Sequence, residues 1–457
     1  MYSVIASPAC RTGGLRLRAP ALLLALAFAL ALGCAHAAYA QAPLAQDAFP
    51  QAAVPQAAVP LAASLTLEAA LQSAAQRSTA IQAAQASVDA SAESVASAGQ
   101  LPNPRLSAGI DALPINGDQA FTIGQNILTM RRVGIEQEWV SPHKRALQSD
   151  LAGKVVEREQ SGYLAQVAGV RERTATAWLT AAYAKRAVTL RAAQLEQMKH
   201  ELAATEALYR GAKAAGADVA QAKLAFAQAS DDLLKARQTY QAALIGLSRW
   251  TAMPVADVTG EPPAPESTVA TLSAEQLRTV EPALIAAAAE IHVADADSAV
   301  AASRRSPNWT WNASYLQGGN NSRFVSVGVS IPLPVHRSSV EDRDASGKAN
   351  LATKARLNYA DTQRQVEADI QTLATALDNG RERLAGLQGA LMPAADARVD
   401  LALAAYRAGT GSLASTFAAR RAQLDAQLQI LDLQRDVSLT WAQLEYQVVP
   451  PALAVNP

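Results

Sequence analysis

The chain carries its pattern twice, and that repetition limits what it can fold into more than any single segment does. "YRGAKAAGADVAQAK" (209–223) and "YRAGTGSLASTFAAR" (406–420) align without a gap, placing Tyr209 on Tyr406 and Lys223 on Arg420. Each is a glycine-bearing turn after a long alanine-rich run. Ahead of the first turn, residues 143–209 contain no proline. The spacing predicts one helix from Ser141 to about Tyr209, about 100 Å long at the usual rise. Val188, Leu195, Leu202 and Tyr209 recur every seventh position, a coiled-coil spacing. A helix from about Val219 to Trp250 follows the turn. In the second half the long helix runs from about Val340 to Tyr406, kinked at Pro393, and the last helix ends near Val448.

Each long helix is preceded by a shorter one and a pair of strands. A helix from Leu65 to Gln100, with Thr66 as its cap, is stopped by "LPNP". Its counterpart over 272–305 is stopped by "SPN". Strands are expected over 105–113 and 131–140 in the first half, and over 308–316 and 323–332 in the second. All alternate with period two. In "RFVSVGVSIPLP" Val325, Val327, Val329 and Ile331 alternate with Ser326, Gly328 and Ser330, which gives one apolar face and one small or polar face. The fold class is therefore mainly α with a small β part and an internal duplication. The repeats span 65–253 and 271–448, with a proline-rich linker over 254–270 and a tail over 449–457.

The N-terminus has the form of a secretory signal over 1–40. Arg11, Arg16 and Arg18 precede the apolar run "ALLLALAFALALG", and "AYA" closes it. A membrane anchor is the alternative reading, for which the apolar run is short. Cys34 is a further candidate, as a lipidated residue. Cleavage after Ala40 would instead remove both Cys10 and Cys34, leaving no disulfide and no thiolate ligand. Residues 41–64, with "QAAVPQAAVP", read as an extended arm.

The strands have two readings: a soluble sheet packed on helices, or part of a membrane barrel. Four strands cannot close a barrel, and an open edge is not tolerated in lipid, so the second reading requires an oligomer that pools strands. Trp139, Trp309, Trp311 and Tyr315 lie near strand ends and suit a membrane-interface belt. Glu136 and Glu138 fall on the other face, toward a wet lumen.

Several motifs together resemble the TolC family of outer-membrane efflux proteins, and within it the CzcC-like subgroup that serves heavy-metal pumps. They are "LPNPRLSAGI", "TMRRVGIEQEW" followed by "HKRALQ", "VSVGVSIPLPV", and the two "YR" turns. The likeness covers about Leu65 to Val448. It implies a homotrimer in the outer membrane of a Gram-negative bacterium. Twelve pooled strands would form one β-barrel in outer-membrane lipid, and the helices a long coiled-coil periplasmic tube. The tube would meet a periplasmic adaptor (membrane fusion) protein and an inner-membrane pump of the resistance-nodulation-division (RND) class. The function implied is a passive efflux duct, for heavy-metal cations or for drugs and other organic compounds. A periplasmic coiled-coil adaptor or scaffold is the rival reading.

In the duct reading the working residues lie at the periplasmic tip. Tyr209, Arg210, Gly211 and Gly216 form one turn, and Tyr406, Arg407, Gly409 and Gly411 the other. They are adaptor-docking candidates, or simply what a tight helix reversal needs. Some family members carry paired aspartates after the second turn; here those positions read Ser415 and Ala418. Asp218 is the first-half counterpart of Ser415, either an aperture ring residue in three copies or a helix N-cap.

No enzyme signature is present. His36, His143, His200, His292 and His336 are scattered, and neither H-E-x-x-H nor G-x-S-x-G occurs. No metal site, cofactor or catalytic residue is expected. Forty basic residues balance forty acidic ones, which leaves no footprint for nucleic acid.

Overall fold

A computed structural model of the protein describes residues 63–450, apart from 124, 320, 321 and 334. The expected signal segment, Cys34 and nearly all of the extended arm lie outside the described residues.

The chain begins with a short strand, β1 (Ala63–Leu65). Thr66 then caps α1 (Leu67–Arg77) by accepting from Ala69 N–H. The single first helix expected to Gln100 is two helices. Ser78 leaves the helical region at ψ 117° and caps α2 (Thr79–Ala98) through Ile81 N–H. A serine hydroxyl competes with the backbone for helix-start donors, which makes such a break cheap. The second half has the same joint. Its expected single helix is α5 (Ala274–Val280) and α6 (Pro282–Ser303), separated at Glu281. Pro282 forbids the helical conformation to the residue before it.

The strands are β2 (Arg105–Asp111), β3 (Met130–Trp139), β5 (Trp309–Gln317) and β6 (Arg323–Ser330), each within two residues of its expected ends. They make one antiparallel sheet in the order β2-β3-β5-β6. The two halves join where β3 pairs with β5, with Trp139 opposite Trp309 and Val133 opposite Tyr315.

After β3, Ser141 caps α3 (Pro142–Arg210), a helix of 69 residues. It packs along α4 (Gly216–Thr251). In the second half, α7 (Glu341–Gly386) leads through a π-helical turn (Leu387–Leu391) into α8 (Met392–Arg407). The expected irregularity at Pro393 is thus spread over the turn before it. Proline has no N–H and its ring crowds the carbonyl four residues back, so the helix widens there. The last helix, α9 (Leu413–Tyr446), packs on α3, α7 and α8.

The core lies midway along α3. Trp178, Leu179, Leu247 and Leu444 are almost wholly buried. Trp178 Nε1 donates to Leu65 O at 2.9 Å, and the Tyr183 hydroxyl meets Ser438 Oγ at 2.8 Å. This core is closed by a piece the sequence hides. Val255–Val258, inside the expected linker, is a strand, β4, which pairs in parallel with β1. Beside it Lys185 Nζ lies 2.7 Å from the Asp257 carboxylate, which also accepts from Tyr240. Burial first, then the Asp257 carboxylate, push the Tyr240 hydroxyl up to about 12. Elsewhere the helix contacts are made largely by small residues, such as Ala345, Ala352 and Ala355 on α7 and Ala419 and Ala426 on α9. Alanine lets helix axes approach closely at little entropic cost.

Candidate functional site: a two-faced sheet and paired helix-reversal turns

The register sorts the sheet residues onto two faces, because directly opposed residues in an antiparallel pair point the same way. One face carries Leu106, Ile110, Val133, Ile135, Val325, Val327 and Val329 together with Trp139, Trp309, Trp311 and Tyr315. Every one is exposed, Val325 at 76% and Val327 at 73%. The four aromatics expected at a membrane interface all lie on this face. Trp139, Trp309 and Trp311 gather beside the start of α3, and Tyr315 sits four residues beyond Trp311 along β5.

The opposite face is mostly polar or small, with Met130, Leu316 and Phe324 as its large apolar members at the end away from α3. Asp111, Arg132, Glu136, Glu138, Asn312, Ser326 and Gly328 lie on it. Arg132 Nε pairs with Asp111 at 3.3 Å. Gly134 is needed there: a Cβ at this position would stand 2.8 Å from Ser314 Cβ and 3.1 Å from Ala313 O. The two outer strands, β2 and β6, each have only one neighbour in the sheet.

The junction of sheet and helices is held by a contact that motif reading did not show, although Glu138 and Lys144 lie in the quoted motifs. Asn308 Nδ2 donates to Glu138 Oε1 at 2.8 Å, and Lys144 Nζ donates to Asn308 Oδ1 at 2.7 Å and to Ser306 O. Burial lowers the Lys144 pKa and Glu138 opposes that shift. The one available signal was position: Glu138 and Asn308 stand at strand ends, and Lys144 is in the first turn of α3.

At the far end of α3 the two turns are the same structure twice. Lys213 N–H bonds Leu208 O, and its counterpart Thr410 N–H bonds Ala405 O, both at 2.8–3.0 Å. Tyr209, Arg210, Tyr406 and Arg407 are all exposed. Neither arginine makes an ion pair among the described residues. The expected glycines divide into two groups. Gly409 is left-handed at φ 75°, and a Cβ on Gly411 would stand 2.9 Å from Ala405 Cβ. Gly211, at φ −87°, and Gly216, the first residue of α4, do not need to be glycine. In the first turn the left-handed residue is Ala212, at φ 57°.

The residues after each turn cap the next helix, and each turn uses a different half of the capping box. Asp218 stands three residues inside the cap position rather than at it. Its carboxylate accepts from Ala215 N–H at 2.9 Å. In the second turn Ser412 is the cap, accepting from Ser415 N–H at 3.1 Å, and Ser415 is exposed. Nearby, Arg421 Nη2 reaches both Glu201 oxygens at 2.9–3.0 Å, tying α9 to α3.

Among the described residues no helix is long and apolar enough to cross a membrane. Nor could any group of three or more His, Cys, Asp or Glu hold a metal ion.

No protein-family model matches the sequence, and no curated protein matches it. Solved structures do share the fold. CusC, studied for conformational changes that accompany folding and transmembrane channel formation, superposes with TM-score 0.71 at 13% identity, over 83% of this chain and 90% of that one. The CmeC outer membrane channel of Campylobacter jejuni gives 0.71 at 14% identity, over 83% and 85%. The outer membrane protein VceC of Vibrio cholerae gives 0.67 at 16% identity, over 83% and 95%. The mainly helical chain with its four-stranded sheet thus has the TolC-like fold of these outer-membrane proteins.

Proposed function

We propose that the protein is one protomer of a TolC-family outer-membrane channel, a passive duct for substrates delivered by an inner-membrane pump of the RND class through a periplasmic adaptor. The observation that carries this reading is the sheet, with one largely apolar exposed face, one largely polar face and two edges that lack a second neighbour. In water such a face would aggregate, and in lipid such edges would cost several kcal/mol per unpaired group. Joining copies edge to edge removes both problems. Three copies pool twelve strands, an even number within the range of outer-membrane barrels. A nine-residue strand such as β5 spans about 30 Å of contour, which at barrel tilt covers most of an apolar band about 25 Å tall.

The remaining parts follow from this placement. Glu136 and Glu138 line the lumen, and the four aromatics sit at the membrane interface. The 69-residue α3 extends about 100 Å into the periplasm. Exposed Leu224, Leu234, Ile245, Leu357 and Leu401 on α4, α7 and α8 support helix packing between copies. The two turns form the periplasmic tip, where Tyr209, Arg210, Tyr406 and Arg407 offer aromatic surface and uncommitted guanidinium groups to an acidic adaptor loop. The protein needs no catalytic residue and no resident cofactor.

The test is recovery of the protein from outer membranes as a trimer, with conductance steps in planar bilayers. Recovery in the soluble or inner-membrane fraction would instead establish the periplasmic adaptor or scaffold reading. Heavy-metal cations are the proposed cargo, supported by the sequence resemblance. A deletion strain tested against zinc, cadmium, cobalt, copper and silver salts beside dyes, detergents and antibiotics decides it. Sensitivity confined to the metals is expected, and sensitivity confined to organic compounds would discard the metal cargo while keeping the duct.

A further inference from the structure

The sheet sorts its charges by face as well as its apolar residues. Arg105, Asp111, Arg132, Glu136 and Glu138 all lie on the polar face. Among the described residues of the four strands, the apolar face carries only two charges, Arg131 on β3 and Arg323 on β6. Both stand on one rung, because Arg131 is opposite Gln317 and Gln317 is opposite Arg323. Residues directly opposed across antiparallel strands point the same way, so the two arginines flank Gln317 with backbones about 10 Å apart. Both are exposed, and neither makes an ion pair among the described residues. The rung lies at the hairpin end of the sheet. It is eight residues along β5 from Trp309, about 26 Å of contour. The tryptophans therefore mark one rim of the apolar face and the arginines the other.

Directly inward from the arginines the face is hollow. Val133, Tyr315 and Val325 form the next rung, and Ala313 follows between Ile135 and Val327. Alanine is too short to fill the space that these neighbours frame. The result is an open hollow of about 360 Å³, lined chiefly by Leu106, Val133, Ile135, Ala313, Tyr315 and Val325 and almost wholly apolar. Two cations at the rim with an apolar hollow beside them match one molecule that has an anionic head and a hydrocarbon tail. A free anion has no use for the hollow, and a plain hydrocarbon has none for the arginines. Arginine on a lipid-facing strand is costly at the bilayer midplane and nearly free at the interface. Both charges thus stand where a headgroup, not a tail, would meet them.

We propose that Arg131, Arg323 and the hollow at Ala313 form a site for a lipid with a phosphate-monoester headgroup, the phosphate clamped between the two guanidinium groups and an acyl chain lying in the hollow. Guanidinium binds phosphate through paired N–H donors in a planar fork. A phosphate monoester carries about two negative charges above its second pKa of about 6, and two arginines balance them. The long helices leave the sheet from the opposite rim, so the arginine rim meets the leaflet that faces away from the periplasm. The inference rests on the duct reading, since the apolar face must lie in lipid. Pooling three copies sets three such sites around the barrel.

The experiment is native mass spectrometry of the full-length, detergent-purified protein titrated with dioleoyl phosphatidic acid at about pH 7.5, where the phosphate is doubly charged. One tightly bound lipid per chain is expected. Arg131→Gln and Arg323→Gln should each weaken it about tenfold, the loss of one charge-assisted pair of bonds. Dioleoyl phosphatidylcholine, with the same chains and a neutral head, should bind wild type no better than it binds either variant. Ala313→Leu, which fills the hollow, should weaken the phosphatidic acid and leave both arginines in place. Equal affinity in wild type and in the variant carrying both glutamines would overturn the proposal. Displacement of the lipid by inorganic phosphate at equal concentration would also overturn it, by assigning the arginines to a free anion. The same spectra report the oligomer, which separates the two failures. A trimer from outer membranes whose lipid affinity ignores both arginines sinks this site and leaves the duct standing. A monomer from the soluble fraction sinks the duct, and this site with it.

Discussion

Ala212 and Gly409 occupy the same place in two copies of one turn, and both are left-handed, at φ 57° and 75°. The position demands that backbone whatever residue fills it. Alanine carries a Cβ penalty there that glycine avoids. Ala212→Gly should therefore stabilise the first turn and Gly409→Ala destabilise the second, each by about 1 kcal/mol. Amide exchange reads this locally. The Lys213 N–H should exchange about fivefold more slowly in the first variant, and the Thr410 N–H about fivefold faster in the second.

Asp218 is bonded to Ala215 N–H, so its carboxylate has a structural task independent of any ion. Asp218→Asn keeps an oxygen acceptor and removes the charge. Conductance and cation preference in planar bilayers should be unchanged. A loss of cation preference would assign Asp218 to an aperture ring instead. Ala215→Ser should complete the capping box and stabilise the start of α4 by about 1 kcal/mol.

Val327 and Ser326 are adjacent in β6 and point to opposite faces of the sheet. A lysine tests those faces directly. Val327→Lys should cost about 2–4 kcal/mol if the face meets lipid, and abolish heat-resistant oligomer in membrane extracts. Ser326→Lys should leave the oligomer intact. Similar behaviour of the two variants would refute the assignment of faces.

Glu281 makes stability depend on pH with a definite sign. Its carboxyl titrates near 7 in the folded chain, against an ordinary value of 4.5. Protonation therefore favours the folded state. That contribution is complete below about pH 4.5, falls as pH rises, and is gone above about 7. Glu281→Gln removes the dependence. Its melting temperature should match wild type at pH 4.5 and exceed it above pH 7, by the equivalent of up to about 3 kcal/mol.

Much of this architecture is visible in the chain because it is local. Alternation places the strands within two residues, since side chains in a strand change face at every step. Long proline-free runs announce α3 and α7, and Thr66 caps where the sequence predicts a cap. The duplicated "YR" segments predict two matching turns, and the turns share three backbone bonds, those from the N–H groups of Gly211, Ala212 and Lys213 and of Ala408, Gly409 and Thr410.

Other features required the three-dimensional structure. β4 hides in a proline-rich linker because its four residues become a strand only when β1, some 190 positions earlier, offers an edge. The break at Ser78 has no proline to mark it. The left-handed Ala212 escaped notice because glycine stands one residue before it, and only hydrogen-bond closure decides which residue turns. Glu281 falls inside the single helix expected over 272–305, and neither the joint there nor its burial is visible before the structure. The sequence alone determined the period, the two faces of each strand and the span of the longest helix, α3, since these depend on residues a few positions apart. Tertiary structure decided the strand order, the mid-helix core and the burial of single charges, since these depend on which distant surfaces exclude water together.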